Sequence, residues 1–182
     1  MILRLLLIFA VPLTNSLLHA DQTDDRLGDL FATLQNLENA RTIQIIESQI
    51  WEIWLQHPNA DVQQLMIVGT QRMNAQRYAE AMVVFNRLTE IFPDYAEGWN
   101  KRATLHYVLG NLDASVSDIE KTLELEPRHF GALSGLGMVF IQRKEFSKAK
   151  RAFQDLIDVH PNSPNAKQNL ELVEEQLRFN II

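Results

Sequence analysis

At 182 residues the chain has the length of a single domain, and its 46% hydrophobic and 22% charged residues are the balance of a folded protein. A formal net charge of −6 with no basic run excludes the electrostatic footprint of a nucleic-acid binder. Cysteine is absent, which removes disulfides, thiol catalysis and thiolate metal sites.

Residues 1–20 have the layout of a secretory signal peptide. Arg4 supplies a short positive start, an apolar run follows from Leu5 to Leu13, and a polar tail ends in Leu18-His19-Ala20. Cleavage near Ala20 would leave Asp21 as the new terminus. The alternative is an uncleaved anchor, but Pro12 interrupts a run shorter than the ~20 apolar residues a span needs. Residues 21–58 then carry two helical patterns. Leu27, Leu30, Phe31, Leu34 and Leu37 share one face of the first, and Ile43, Ile46, Ile50, Ile53 and Trp54 recur along the second until His57-Pro58 stops it.

From Val62 onward one pattern is written three times. Pro93, Pro127 and Pro161 stand 34 residues apart, and the same ruler aligns Leu65, Trp99 and Leu133, then Gly69, Ala103 and Gly137. Further along it aligns Tyr78, Leu112 and Phe146, then Ala81, Ser115 and Ala149, then Phe85, Ile119 and Phe153. Small residues at the second and fourth of these rows allow two antiparallel helices to approach closely, and the aromatics fill the remaining gaps. Trp99, Phe85, Phe140 and Phe153 are expected core. Each period divides at a tight turn, of which Leu109-Gly110-Asn111 is the clearest because glycine and asparagine tolerate positive φ. A last helix after Ser163 would place Leu170, Val173 and Leu177 inward, and the tail 179–182 would pack back on it or serve as a docking strip.

The third period, Leu133-x2-Leu136-Gly137-x2-Phe140 followed by Ala149-x3-Phe153 and Pro161, resembles the tetratricopeptide repeat. The first period replaces the aromatic by Arg72, and the second keeps Trp99 but has Arg102, His106, Ser115 and Ile119 at signature positions. The resemblance implies an all-α fold, an α-solenoid of antiparallel helix pairs, with units at 62–95, 96–129 and 130–163. A capping helix and tail would occupy 164–182. The pair at 21–58 lacks the signature and breaks the register, so it is expected to be a degenerate first unit capping the stack.

No catalytic constellation accompanies these helices. H-E-x-x-H and G-x-S-x-G are missing. Gly131, Gly135 and Gly137 fall within a helix rather than after a strand, so they serve packing instead of phosphate binding. His57 and His160 precede prolines at helix ends, where a cation complements the helix dipole. Asp113, Asp118, Glu120, Glu124 and Glu126 are expected to form a solvated outer face.

The resemblance further implies that function lies in a concave groove that holds peptides or extended protein segments. The family's groove positions fall on Gln63, Met66, Thr70, Met73 and Asn74 in the first unit. In the second they fall on Glu97, Asn100, Thr104, Tyr107 and Val108, and in the third on Gly131, Ser134, Met138, Ile141 and Gln142. Members that grip a terminal carboxylate carry cations and asparagines where this chain has Met66, Thr70, Gly131 and Gly135. A largely uncharged groove would prefer an amphipathic or extended segment to an acidic peptide, although the methionines also suit plain packing. The expectation is a non-enzymatic adaptor, scaffold or chaperone, with no cofactor, no metal, no nucleic acid and no membrane span in the mature form. It would be exported to the bacterial periplasm and bind a protein partner. The alternative is a subunit or regulator of an envelope enzyme complex docking through its N-terminal helices, with Trp51 or Trp54 exposed.

Overall fold

A computed structural model describes residues 21–179; the signal-peptide segment and the last three residues of the tail lie outside the described residues. The described residues form α1 (Arg26–Asn36), α2 (Ala40–Leu55), α3 (Ala60–Asn74), α4 (Tyr78–Ile91), α5 (Ala96–Val108), α6 (Leu112–Leu125), α7 (Phe130–Gln142), α8 (Phe146–Val159) and α9 (Pro164–Phe179), with no strand among them. The fold is an all-α helical repeat: α3–α4, α5–α6 and α7–α8 are successive antiparallel pairs, and α9 covers α8.

Each pair reverses direction in the same way. Gln76, Gly110 and Lys144, 34 residues apart, adopt φ of 57°, 76° and 59°. The following amides, of Arg77, Asn111 and Glu145, donate to the carbonyls of Arg72, His106 and Phe140 at 2.8–2.9 Å. This is a left-handed helix cap that satisfies the last carbonyls, written three times with glycine in only one copy. Two of the starts are capped by asparagines: the Asn39 side chain accepts from the amides of Arg41 and Thr42, and that of Asn59 from Asp61.

Close approach within the pairs follows the small residues. A Cβ added at Gly69 would lie 2.5 Å from the Phe85 ring, and one at Gly137 would overlap the Phe153 ring at least as severely. In the middle pair Ala103 faces the shorter Ile119, and the Ser115 hydroxyl donates to the Ala103 carbonyl at 2.9 Å. Phe85 and Phe153 are fully buried. Trp99 is only half-buried; its indole N–H donates to the Pro93 carbonyl at 2.8 Å, and the Arg102 guanidinium lies 4.8 Å from its ring. It is a lid on a polar contact rather than core.

The acidic face expected on α6 is likewise split. Asp113, Glu120 and Glu124 are exposed, but Asp118 and Glu126 are buried. Asp118 accepts from Nε and Nη2 of Arg102, both at 2.7 Å, while Nη1 of the same guanidinium reaches Thr89 at 2.7 Å and Asn86 at 3.1 Å on the preceding unit. Glu126 receives the Arg128 guanidinium and amide. A carboxylate inside a stack survives because an arginine at a signature leucine position meets it.

The helix pair α1–α2 does not cap the first unit. Its apolar face joins the core of the last one, where Leu27, Phe31, Ile50, Ile53 and Trp54 cluster with Phe130, Leu133 and Leu156, while the first unit keeps a separate core around Phe85. The pair lies across the row of turns between units. Gln22 bonds the Asp94 carbonyl and the Ala96 amide, the Tyr95 hydroxyl donates to the Trp54 carbonyl at 2.8 Å, and the Asn162 amide donates to the Leu37 carbonyl at 2.8 Å. At the middle turn the Arg128 guanidinium sits 4.5 Å from the Phe31 ring. Each closing proline thus opens a turn that the N-terminal strap covers.

Candidate functional site

The first helices of the second and third units, α5 and α7, run side by side and leave a groove between them. A cavity of about 260 Å³ is lined there by Asn100, Ala103, Thr104, Tyr107, Ser115, Ile119, Gly131, Ser134, Gly135 and Met138. No lining side chain carries a formal charge. Asn100, Thr104, Tyr107, Gly131, Ser134 and Met138, expected at the groove from the repeat register, come together here.

The other expected positions lie elsewhere. Met66 is buried in the first unit's core with Met73 packed against it, Thr70 is half-buried, and Asn74 is exposed at the helix end. Gln63 donates its amide to the Leu55 and His57 carbonyls at 3.3 and 3.4 Å. Val108 and Gln142 are exposed at the ends of α5 and α7, and Ile141 packs against the last unit's core. Glu97 is 1% exposed and faces inward.

Glu97 belongs to a polar cluster sealed beneath α2. Its Oε2 accepts from the Asn100 amide at 2.8 Å and from His129 Nε2 at 2.9 Å, and the Lys101 ammonium lies 3.0 Å from Oε1. His129 Nδ1 accepts the Ala132 amide as an N-cap, which assigns the ring proton to Nε2. Trp54 stacks flat on the imidazole, centroids 4.1 Å apart and planes 10° from parallel. Burial alone would raise the Glu97 carboxyl; the His129 hydrogen bond and the Lys101 charge together outweigh it and hold the group below its ordinary value. Burial likewise raises the Tyr95 phenol. A carboxylate beside an imidazole is acid–base equipment, but both side chains are out of solvent, so no substrate reaches them.

Repeat register alone did not reveal that α2 supplies one wall of the groove. A second chamber of about 270 Å³, lined by Glu47, Trp51, Phe130, Gly131, Ser134, Leu156, His160, Ser163 and Asn165, adjoins the first through Gly131 and Ser134. Gly131 is the signal that could have found it: its periodic equivalents are Gln63 and Glu97, and a Cβ there would lie 2.6 Å from the Trp51 ring. Among the described residues no group of three or more His, Cys, Asp or Glu could hold a metal ion. No helix among them is long and apolar enough to cross a membrane.

A stack of helix pairs with an uncharged groove along its first helices defines a helical-repeat protein. A family model described as tetratricopeptide repeat matches residues 132–163. A TPR repeat-containing protein of Rhizobium etli is 32% identical over 155 residues, 85% of this chain and 76% of the relative. The chain belongs to the tetratricopeptide repeat family. It spans only 34% of a longer relative, small glutamine-rich tetratricopeptide repeat-containing protein 2 of Mycosarcoma maydis, at 25% identity over 118 residues. In fold it is similar to the first TPR of Spaghetti (RPAP3), solved bound to the HSP90 peptide SRMEEVD. The TM-score is 0.63 at 19% identity, over 65% of this chain and 94% of that one.

Proposed function

We propose that the chain is a non-enzymatic protein-interaction module, an adaptor, scaffold or chaperone, holding a segment of a partner protein in the groove between α5 and α7. The observation that carries this reading is the convergence of Thr104, Tyr107, Ser134 and Met138 on one open cavity. Hydroxyls suit a bound backbone, and methionine and tyrosine suit adaptable apolar contact. The partner segment is proposed to lie in the cell envelope of a bacterium, on the strength of the leader at residues 1–20 and of the bacterial relative.

A photo-crosslinking residue at Thr104, in the groove, is compared with one at Ser117, exposed on α6, in the chain's own host. Crosslinks to one dominant protein from 104 alone support the groove; equal yield from both positions overturns it. The pair Thr104→Glu with Tyr107→Lys should lower that yield while leaving the melting curve in place. The mature N-terminus, read by mass spectrometry, is expected at Asp21, and an intact Met1 would overturn export. Docking through the N-terminal helices fits less well, because Trp54 is 1% exposed and stacked on His129 while Trp51 walls the groove.

A further inference from the structure

We infer that the chamber beside α2 is a cation-accepting subsite, and that the segment held in the groove presents a bulky apolar side chain close in sequence to a lysine or arginine. This rests on the reading of the groove as a segment-binding site and adds the chemistry of its occupant. The two chambers share Gly131 and Ser134, so one segment passes from the first into the second. The first chamber, uncharged and floored by Ala103, Gly131 and Gly135, has room for one large apolar side chain. The second contains a charge: the Glu47 side chain is 30% exposed, and its partner is the His160 imidazole at 2.7 Å rather than a lysine or arginine.

His160 provides an independent indication. It is 1% exposed and lines the same chamber, and its Nδ1 is buried without a hydrogen-bond partner. A half-open carboxylate and a buried ring nitrogen with no partner thus belong to one chamber whose lining holds no lysine or arginine, a setting that an ammonium or guanidinium suits. Trp51 adds an aromatic wall, a surface that cations favour and against which the chain's own Lys101 ammonium already lies 5.8 Å from the ring centroid. The groove therefore has the opposite polarity to one that takes an acidic peptide such as SRMEEVD, whose carboxylates would meet Glu47 and no lining cation.

The test uses the full chain and fluorescein-labelled, amidated synthetic peptides in a Gly/Ser background. Each carries a central Leu or Phe and either Arg or Asp at successive distances from it, and SRMEEVD serves as the acidic control. Fluorescence polarisation should show the best Arg peptide binding at least about tenfold tighter than its Asp counterpart, a difference of about 1.4 kcal/mol. Glu47→Gln should abolish that preference while retaining binding of the apolar residue. Asn165→Lys places a competing cation at an exposed rim position and should do the same, which keeps the test sound if Glu47→Gln loosens α2. Equal affinity for Arg and Asp peptides, a preference that survives both variants, or tighter binding of SRMEEVD overturns the cation subsite and leaves the groove standing. Failure of every peptide, together with absence of crosslinks from 104, overturns both.

Discussion

The second and third repeats share a backbone and differ in what holds them. In the third, Gly137 admits the Phe153 ring, and the contact is wholly apolar. In the second, Ala103 and Ile119 replace that pair, Ser115 bonds the Ala103 carbonyl, and Arg102 ties Asp118 to the preceding unit. The polar version is the more vulnerable to loss of a single partner, because a charge stranded in the stack costs more than a missing methyl group.

Arg102→Ala is the sharpest way to break this comparison. It leaves Asp118, 6% exposed in its side chain, without its counter-charge, and should cost about 3–5 kcal/mol in chemical denaturation. Arg102→Met with Asp118→Leu should recover most of that loss; if the double variant is as unstable as the single one, the pair is not the cement of the second repeat. Gly137→Ala comes next, at about 1–3 kcal/mol, since Phe153 is fully buried and has nowhere to retreat. Adding Phe153→Ile copies the middle repeat's own solution and should restore stability. An unchanged melt for Gly137→Ala would show that the two helices are not in contact there.

These two repeats also mark how far the sequence was legible. The 34-residue ruler located the helix pairs and the close approach at Gly69 and Gly137, because each of these recurs at a fixed spacing; of the ten positions it carried onto α5 and α7, six line the cavity and Glu97, Val108, Ile141 and Gln142 do not. It missed Asp118 and Glu126 as buried groups, since their partners Arg102 and Arg128 break the pattern instead of repeating it. The seat of α1–α2 was also out of reach. The contacts of Gln22, Leu37 and Trp54 with the turns at 92–95, 126–129 and 160–163 are long-range and non-periodic, and each amphipathic helix alone is compatible with capping an end or strapping an edge. Gly131 was a residue whose smallness the register did not explain.

The strap's attachment has a predicted pH dependence. Glu97 is held below its ordinary value in the folded chain, so it contributes stability that is fully present above the unfolded carboxylate value and is lost as pH falls through the folded one. Acidification below the ordinary carboxylate range should therefore weaken the packing of α2 on α5 and α7, seen as enhanced hydrogen exchange in α1 and α2 before the repeats. Glu97→Gln should flatten that dependence; an identical pH profile for the variant would assign acid sensitivity elsewhere.

The smallest expected effect concerns the turns, where the repeats agree in backbone and differ in residue. Gln76 and Lys144 adopt the left-handed conformation that Gly110 adopts in the middle copy, and a side chain pays about 1–2 kcal/mol there. Glycine is free of that strain but loses more backbone freedom on folding, so Lys144→Gly should stabilise by only about 0.5–1 kcal/mol. That corresponds to about 1–4 °C in a thermal melt of a chain this size. Gly110→Ala should shift the melt by a similar amount in the opposite direction, since a Cβ there meets no atom within 4 Å and only the backbone is strained. If both substitutions move the melt the same way, backbone strain is not what distinguishes these three turns, and the hydrogen bonds that close them carry the difference.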